Sequence, residues 1–216
     1  MIIGNIELTW LGHASFLIKD KKTIYIDPYK LKQTEKTDII LLTHSHYDHC
    51  SIEDLRKIVK DGTIIVCPAD CQSKINKLDV KIKTLILEPG QEIYIEKIKI
   101  KAFPAYNVNK HFHGKGEYWN GYIIEIDGKK IYHAGDTDFI PEMAGLEEQK
   151  IDVALLPVSG VYTMNADEAS RAAFIIKPKI AVPMHYGEFA GTNEDALRFM
   201  DLCESEGLSC KILEKD

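Results

Sequence analysis

The chain has 216 residues, 45% of them hydrophobic and 28% charged, with a net charge of −6. That suits one globular domain over residues 1–216 with a sizeable core, and it argues against a nucleic-acid-binding protein dominated by a basic surface. No apolar run approaches the roughly 20 residues of a membrane span.

The N-terminus runs straight into a strand pattern, with no basic n-region or apolar h-region. Cys50, Cys67, Cys71, Cys203 and Cys210 make an odd count at irregular spacing, as reduced thiols do. Both features predict a cytoplasmic protein.

Residues 7–10, 14–18 and 23–26 are predicted as short strands, with turns at Gly12 and at Asp20-Lys21-Lys22. His13 falls between the first two. Asp27-Pro28 ends the third, and Asp27 is either a turn residue or a carboxylate that fixes the tautomer of a ligand imidazole. Residues 39–42 form a short apolar run, predicted as a buried strand.

Directly after that run stands Thr43-His44-Ser45-His46-Tyr47-Asp48-His49. If the backbone stays extended, His44 and His46 point the same way and share one cation. Asp48 and His49 come where the chain turns and address a second point close by. Imidazole and carboxylate together suit zinc, and also iron or manganese. Ser51, three residues before Asp54, is predicted to cap a helix over 54–60.

Residues 63–67 follow as a parallel-type strand, and 68–76 as a short helix with Pro68 at its start. Strands are predicted at 85–87 and within 92–102, with a turn at Gly90. Residues 107–121 have no periodicity and carry His111, His113, Tyr118 and Trp119, which marks a site lid or substrate loop. Strands then fall at 122–126, 130–133 and 153–156. A helix over 166–176 has Asn165 as its N-cap and Pro178 just past its end. A strand at 180–182, an amphipathic helix at 193–206 and a closing strand at 209–213 complete the chain. Pattern alone gives an α/β or α+β protein.

The His-x-His-x-Asp-His segment does not stand alone. Trp10-Leu11-Gly12-His13-Ala14-Ser15, Ile26-Asp27-Pro28, His133-Ala134-Gly135-Asp136-Thr137 and Pro183-Met184-His185-Tyr186-Gly187 accompany it in order. The set resembles the metallo-β-lactamase fold superfamily, in the branch of L-ascorbate-6-phosphate lactonase and related small metal-dependent hydrolases. The resemblance implies a four-layer αββα sandwich with metals at one edge. It implies His44 and His46 as ligands of a first metal, Asp48, His49 and His185 as ligands of a second, and Asp136 as the carboxylate touching both. The cofactor implied is one or two zinc ions, with manganese or iron as alternatives.

The implied reaction is hydrolysis of an ester, lactone or phosphoester of a small molecule by metal-bound hydroxide, with Asp48 orienting the hydroxide and shuttling a proton. One segment departs from the family. Where a third His serves the first metal, this chain has Pro104-Ala105-Tyr106-Asn107. Either Asn107 supplies its amide oxygen, or His111 or His113 folds back, or the first site is weak. His13, Asp27, His133 and Tyr162 are expected around the ligands or the substrate. Lys110 and Lys115 either meet an anionic group such as phosphate or are solvated loop lysines. Other readings are a metal- or ligand-binding protein with little catalysis, and a nuclease or phosphodiesterase, the nuclease disfavoured by the acidic balance. Some relatives form multimers, so a homo-oligomer is a further expectation.

Overall fold

Alternating apolar residues and tight turns build the first sheet as an antiparallel ladder that becomes parallel halfway. A computed structural model describes residues 1–32 and 34–216. The chain divides into two compact units, Met1–Glu88 with Glu214–Asp216, and Pro89–Leu213.

In the first unit β1 (Ile2–Ile3), β2 (Ile6–Gly12), β3 (Ser15–Lys19), β4 (Thr23–Ile26), β5 (Ile39–Leu41), β6 (Ile64–Cys67) and β7 (Lys83–Ile86) form one sheet in chain order. Pairs are antiparallel as far as β4 and parallel from β4 onwards. Parallel neighbours need crossovers, and α1 (Ile52–Ile58) supplies the one between β5 and β6. All three residues of β5 are buried, as a strand covered on both faces requires. Ile26 of β4 is level with Leu41 of β5, and the Asp27 N–H donates to the Leu41 carbonyl (3.0 Å). Asp27 and Thr43 therefore leave the sheet side by side.

Ser51 is the cap as predicted, its Oγ accepting from the Asp54 N–H (3.3 Å), and α1 follows it directly, starting two residues earlier than the predicted 54. It stops at Ile58, where Val59 turns extended. Buried Leu55 and Ile58 pack with Tyr25, Ile40, Leu42 and Ile65. The helix predicted over 68–76 is a 3-10 turn at Ala69–Cys71 running into α2 (Gln72–Ile75).

In the second unit β8 (Glu92–Ile95), β9 (Ile98–Pro104), β10 (Asn120–Ile126), β11 (Lys129–His133), β12 (Val153–Pro157) and β13 (Ile180–Met184) form a sheet in order β13-β12-β11-β10-β9-β8. Its first four strands in the chain pair antiparallel, and β11, β12 and β13 pair parallel. Helix α3 (Ala166–Ile176) links β12 to β13 with the predicted bounds. Asn165 and Glu168 form a reciprocal capping box, and Lys177 ends the helix in the left-handed region. Helix α4 (Asn193–Ser205) follows with Thr192 as its cap.

Two further predictions change, and one element was not predicted. Strand β10 begins at Asn120, inside the expected loop. Pro141–Gln149 is a 3-10 stretch with only Met143 and Leu146 buried, too sparse a pattern to give a period. The strand at 209–213 is reduced to one bridge, Ala181 with Cys210, because Ser209 O and Lys211 N both bond Ala181 and the chain then departs. Among the described residues no helix is long and apolar enough to cross a membrane.

Asp54 accepts from Lys30 N (2.9 Å), Leu31 N (3.0 Å), Ser51 Oγ (2.7 Å) and Lys57 Nζ (2.9 Å). Burial pushes its carboxyl up, but these bonds outweigh it and hold the group below its ordinary 3.8. A carboxyl depressed in the folded state adds stability above the ordinary value and loses it as pH falls through the folded one. Asp54→Asn is expected to cost about 1–3 kcal/mol at neutral pH. In urea titrations the gap from the parent protein should close below pH 3.8.

Candidate metal centre

The first unit gathers its donors where β4 and β5 end. Past Leu41 the chain does not stay extended but bends and turns through residue 50, with Cys50 N donating to His46 O (2.8 Å). His44 and His46 meet all the same, His44 Nε2 lying 3.0 Å from His46 Nδ1 with the rings edge to face. The bend, rather than strand alternation, brings them together. His44 is buried and His46 is partly exposed.

Asp27 organises this loop. Its carboxylate accepts from the Thr43 N–H (2.8 Å), from Thr43 Oγ1 (2.6 Å) and from His49 Nδ1 (2.7 Å). A proton held on His49 Nδ1 by a carboxylate leaves Nε2 as the lone-pair nitrogen. Thr43 Oγ1 spends its proton on Asp27, so it accepts from His44 Nδ1 (2.9 Å), and His44 too presents Nε2. Asp27 therefore has the tautomer-fixing position rather than a plain turn role. His13 Nε2 lies 2.9 Å from Asp48 Oδ2, which is 3.4 Å from His49 Nε2. Ligand atoms of His13, Asp48 and His49 all lie within 4.8 Å of one another. Lys74 Nζ donates to the Ser45 carbonyl and ties α2 to the same loop.

The second unit gathers donors in the same way, past β11 and past β13. His133 is buried at the end of β11, and its Nδ1 accepts from the Gly135 N–H (3.2 Å), which shapes the turn into Asp136. Asp136 has one oxygen toward each of two imidazoles: Oδ1 is 3.2 Å from His185 Nε2 and Oδ2 is 3.3 Å from His113 Nε2. Of the two loop histidines, His113 is buried at this carboxylate and His111 is exposed. The loop closes on itself, Asn107 N donating to His113 O (2.7 Å). Asn107 Nδ2 donates to the Tyr162 carbonyl (2.7 Å) and lies 3.2 Å from His113 Nδ1. A carbonyl only accepts, so this bond fixes the amide orientation. Asn107 Oδ1 is buried and accepts no hydrogen bond from any described residue.

Sequence reasoning missed Thr137 and Asp138. Thr137 Oγ1 bonds the Tyr106 carbonyl (3.0 Å), and Asp138 accepts from Val108 N (2.8 Å) and from Lys110 Nζ. Together they fasten the 106–110 segment beside Asp136. Their adjacency to Asp136 was the only signal available. Lys115 bonds Glu142 (2.9 Å), and its ammonium also lies over the Tyr106 ring (4.6 Å). Burial pushes the Glu142 carboxyl up, yet the bonds from Lys115 and Tyr106 hold it below its usual range.

His13, Asp27, His113 and His185 have φ of 54°, 44°, 58° and 60°. Left-handed backbone costs a residue with a Cβ roughly 1–2 kcal/mol. Such strain persists where the surroundings over-determine it, and it clusters at functional sites.

The beta-lactamase superfamily domain matches residues 7–185 of this chain. A UPF0173 metal-dependent hydrolase of Thermoplasma acidophilum is 39% identical over 215 residues, 94% of this chain and 93% of that protein. The chain belongs to the UPF0173 metal-dependent hydrolases of the β-lactamase superfamily. A crystal structure from Parabacteroides distasonis superposes on it with a TM-score of 0.85 at 34% identity, covering 98% of this chain and 94% of the other. Igni18, a metallo hydrolase of Ignicoccus hospitalis, gives 0.79 at 28% identity, covering 97% and 95%. The hydrolase thus has the metallo-β-lactamase fold, and its His and Asp donors are of the type that holds a metal ion.

Where β10 passes the exit of β11, a Cβ on Gly121 would stand 2.7 Å from the carbonyl oxygens of both His133 and Ala134. Backbone atoms cannot swing aside as a side-chain tip does. Gly121→Ala in the hydrolase is expected to cost about 1–3 kcal/mol, measured as a lowered denaturant midpoint.

Proposed function

We propose that residues 1–216 act as one cytoplasmic hydrolase domain that uses one or two zinc ions, with manganese or iron as alternatives. The substrate proposed is a small molecule carrying an ester, lactone or phosphoester bond. The observation that carries this reading is Asp136, a buried carboxylate with an imidazole on each oxygen. The ligands proposed are His44, His46 and His113 for one ion, Asp48, His49 and His185 for the other, and Asp136 for both. The buried Asn107 Oδ1, which accepts no hydrogen bond from a described residue, fits an oxygen donor beside His113. The two Nε2 lone pairs set by Asp27 and Thr43 fit nitrogen ligands.

An ion bound there supplies an acidified water and a polarised substrate oxygen. The protein's own groups do the rest. Asp48 lies between His13 and His49, where it can hold a proton and pass it to a leaving oxygen. Asp27 keeps His49 oriented, and His133 keeps the turn that presents Asp136. Tyr162 acts through its carbonyl, which holds Asn107 and hence the loop that carries His113.

Chelator-stripped protein is expected to lose hydrolysis of p-nitrophenyl esters and simple lactones and to regain it with zinc, manganese or iron. Asp136→Asn should fold normally and lose at least about a hundredfold in turnover, beyond the roughly 10–100-fold effects of outer-shell changes. Undiminished turnover in well-folded, metal-free protein would overturn the reading.

A further inference from the structure

A run of aromatic rings adjoins the donors of the second unit. Phe112 packs edge to face on Tyr162 (centroids 5.2 Å apart), Tyr162 stands 6.4 Å from Phe189, and Phe189 stands 6.3 Å from the His185 imidazole. These separations are those of interacting rings. Phe112 is 52% exposed and Phe189 is 46% exposed, and neighbouring Val161 is exposed as well. Single exposed apolar side chains are ordinary, but contiguous ones mark a binding surface. Here the run joins the donor set at both ends. Phe189 touches His185, and Tyr162 holds Asn107, which closes the loop on His113.

The cations of the same loop are committed elsewhere. Lys110 bonds Asp138, which also anchors Val108 N, and Lys115 bonds Glu142. Each ammonium already has its charge offset by a carboxylate, which weakens its pull on a phosphate. Apolar lining with a few convergent polar groups is the usual make-up of a small-molecule site.

The geometry points to Phe112, Tyr162 and Phe189 as specificity-determining residues that take an uncharged apolar group, an alkyl chain or aryl ring attached to the scissile bond. This rests on the metal-hydrolase reading and narrows its substrates to apolar esters or lactones over phosphoesters. Phe112 and Phe189 present their rings to solvent, so truncating them leaves the core untouched.

The test is equilibrium binding of hydroxamic acids, which chelate hydrolytic metals, to the zinc-loaded protein by calorimetry. Acetohydroxamate, hexanohydroxamate, phenylacetohydroxamate and a six-carbon chain ending in carboxylate are compared. Lengthening acetyl to hexanoyl is expected to tighten binding at least about tenfold, since each buried methylene contributes roughly fourfold when fully covered. Most of that gain should vanish in Phe112→Ala/Phe189→Ala. The carboxylate-ended chain should bind more weakly than hexanohydroxamate. Equal affinity along the series, an unchanged gain in the double variant, or tighter binding of the carboxylate would overturn this inference alone. Failure of every hydroxamate to bind would overturn the metal-hydrolase reading, and this inference with it.

Discussion

A single buried carboxylate, Asp27, sets the geometry of the first half of the hydrolase. It leaves β4 in the left-handed region and takes three hydrogen bonds, two from Thr43 and one from His49. Charge-assisted bonds in a dry interior are strong and directional. They cannot form unless β4 and β5 pair in register, so the 43–49 loop inherits its position from the sheet. The continuous apolar run of β5 is what places that register in the core.

The second half solves the same problem with different groups. Asp136 follows β11 as Thr43 follows β5, and His185 follows β13. Gly121 gives the His133 and Ala134 carbonyls room, His133 pins Gly135, and Thr137 and Asp138 tie down the neighbouring loop. In each half, rigid strand ends carry the donors and strained or hydrogen-bonded loops aim them. A site on such supports keeps its geometry better than one on free loops.

Much of this was legible in the residues. Helix α3 was read with its bounds because its cap residue, Asn165, and the following Pro178 agree. The motif residues and the tautomer-fixing role open to Asp27 were readable from type and order. What was not readable has physical causes. His44 and His46 meet as expected, but through a bend that no local propensity announces. His111 and His113 sit two apart in an aperiodic loop, and contacts made only in the fold, with Asn107 and Asp136, go with His113 being the one turned inward. The 3-10 stretch at Pro141–Gln149 buries too few side chains to show a period. For Lys110 and Lys115 the sequence left an anion-binding and a solvated role open, and their partners, Asp138 and Glu142, come only with the fold.

The proposed ligand set is tested most directly by counting zinc bound per chain at equilibrium dialysis. His49→Ala, His185→Ala and the double variant are compared with the parent protein. The account predicts that each single variant loses the same one ion and that the double variant loses no more. Additive losses, or full occupancy in either single variant, would contradict it.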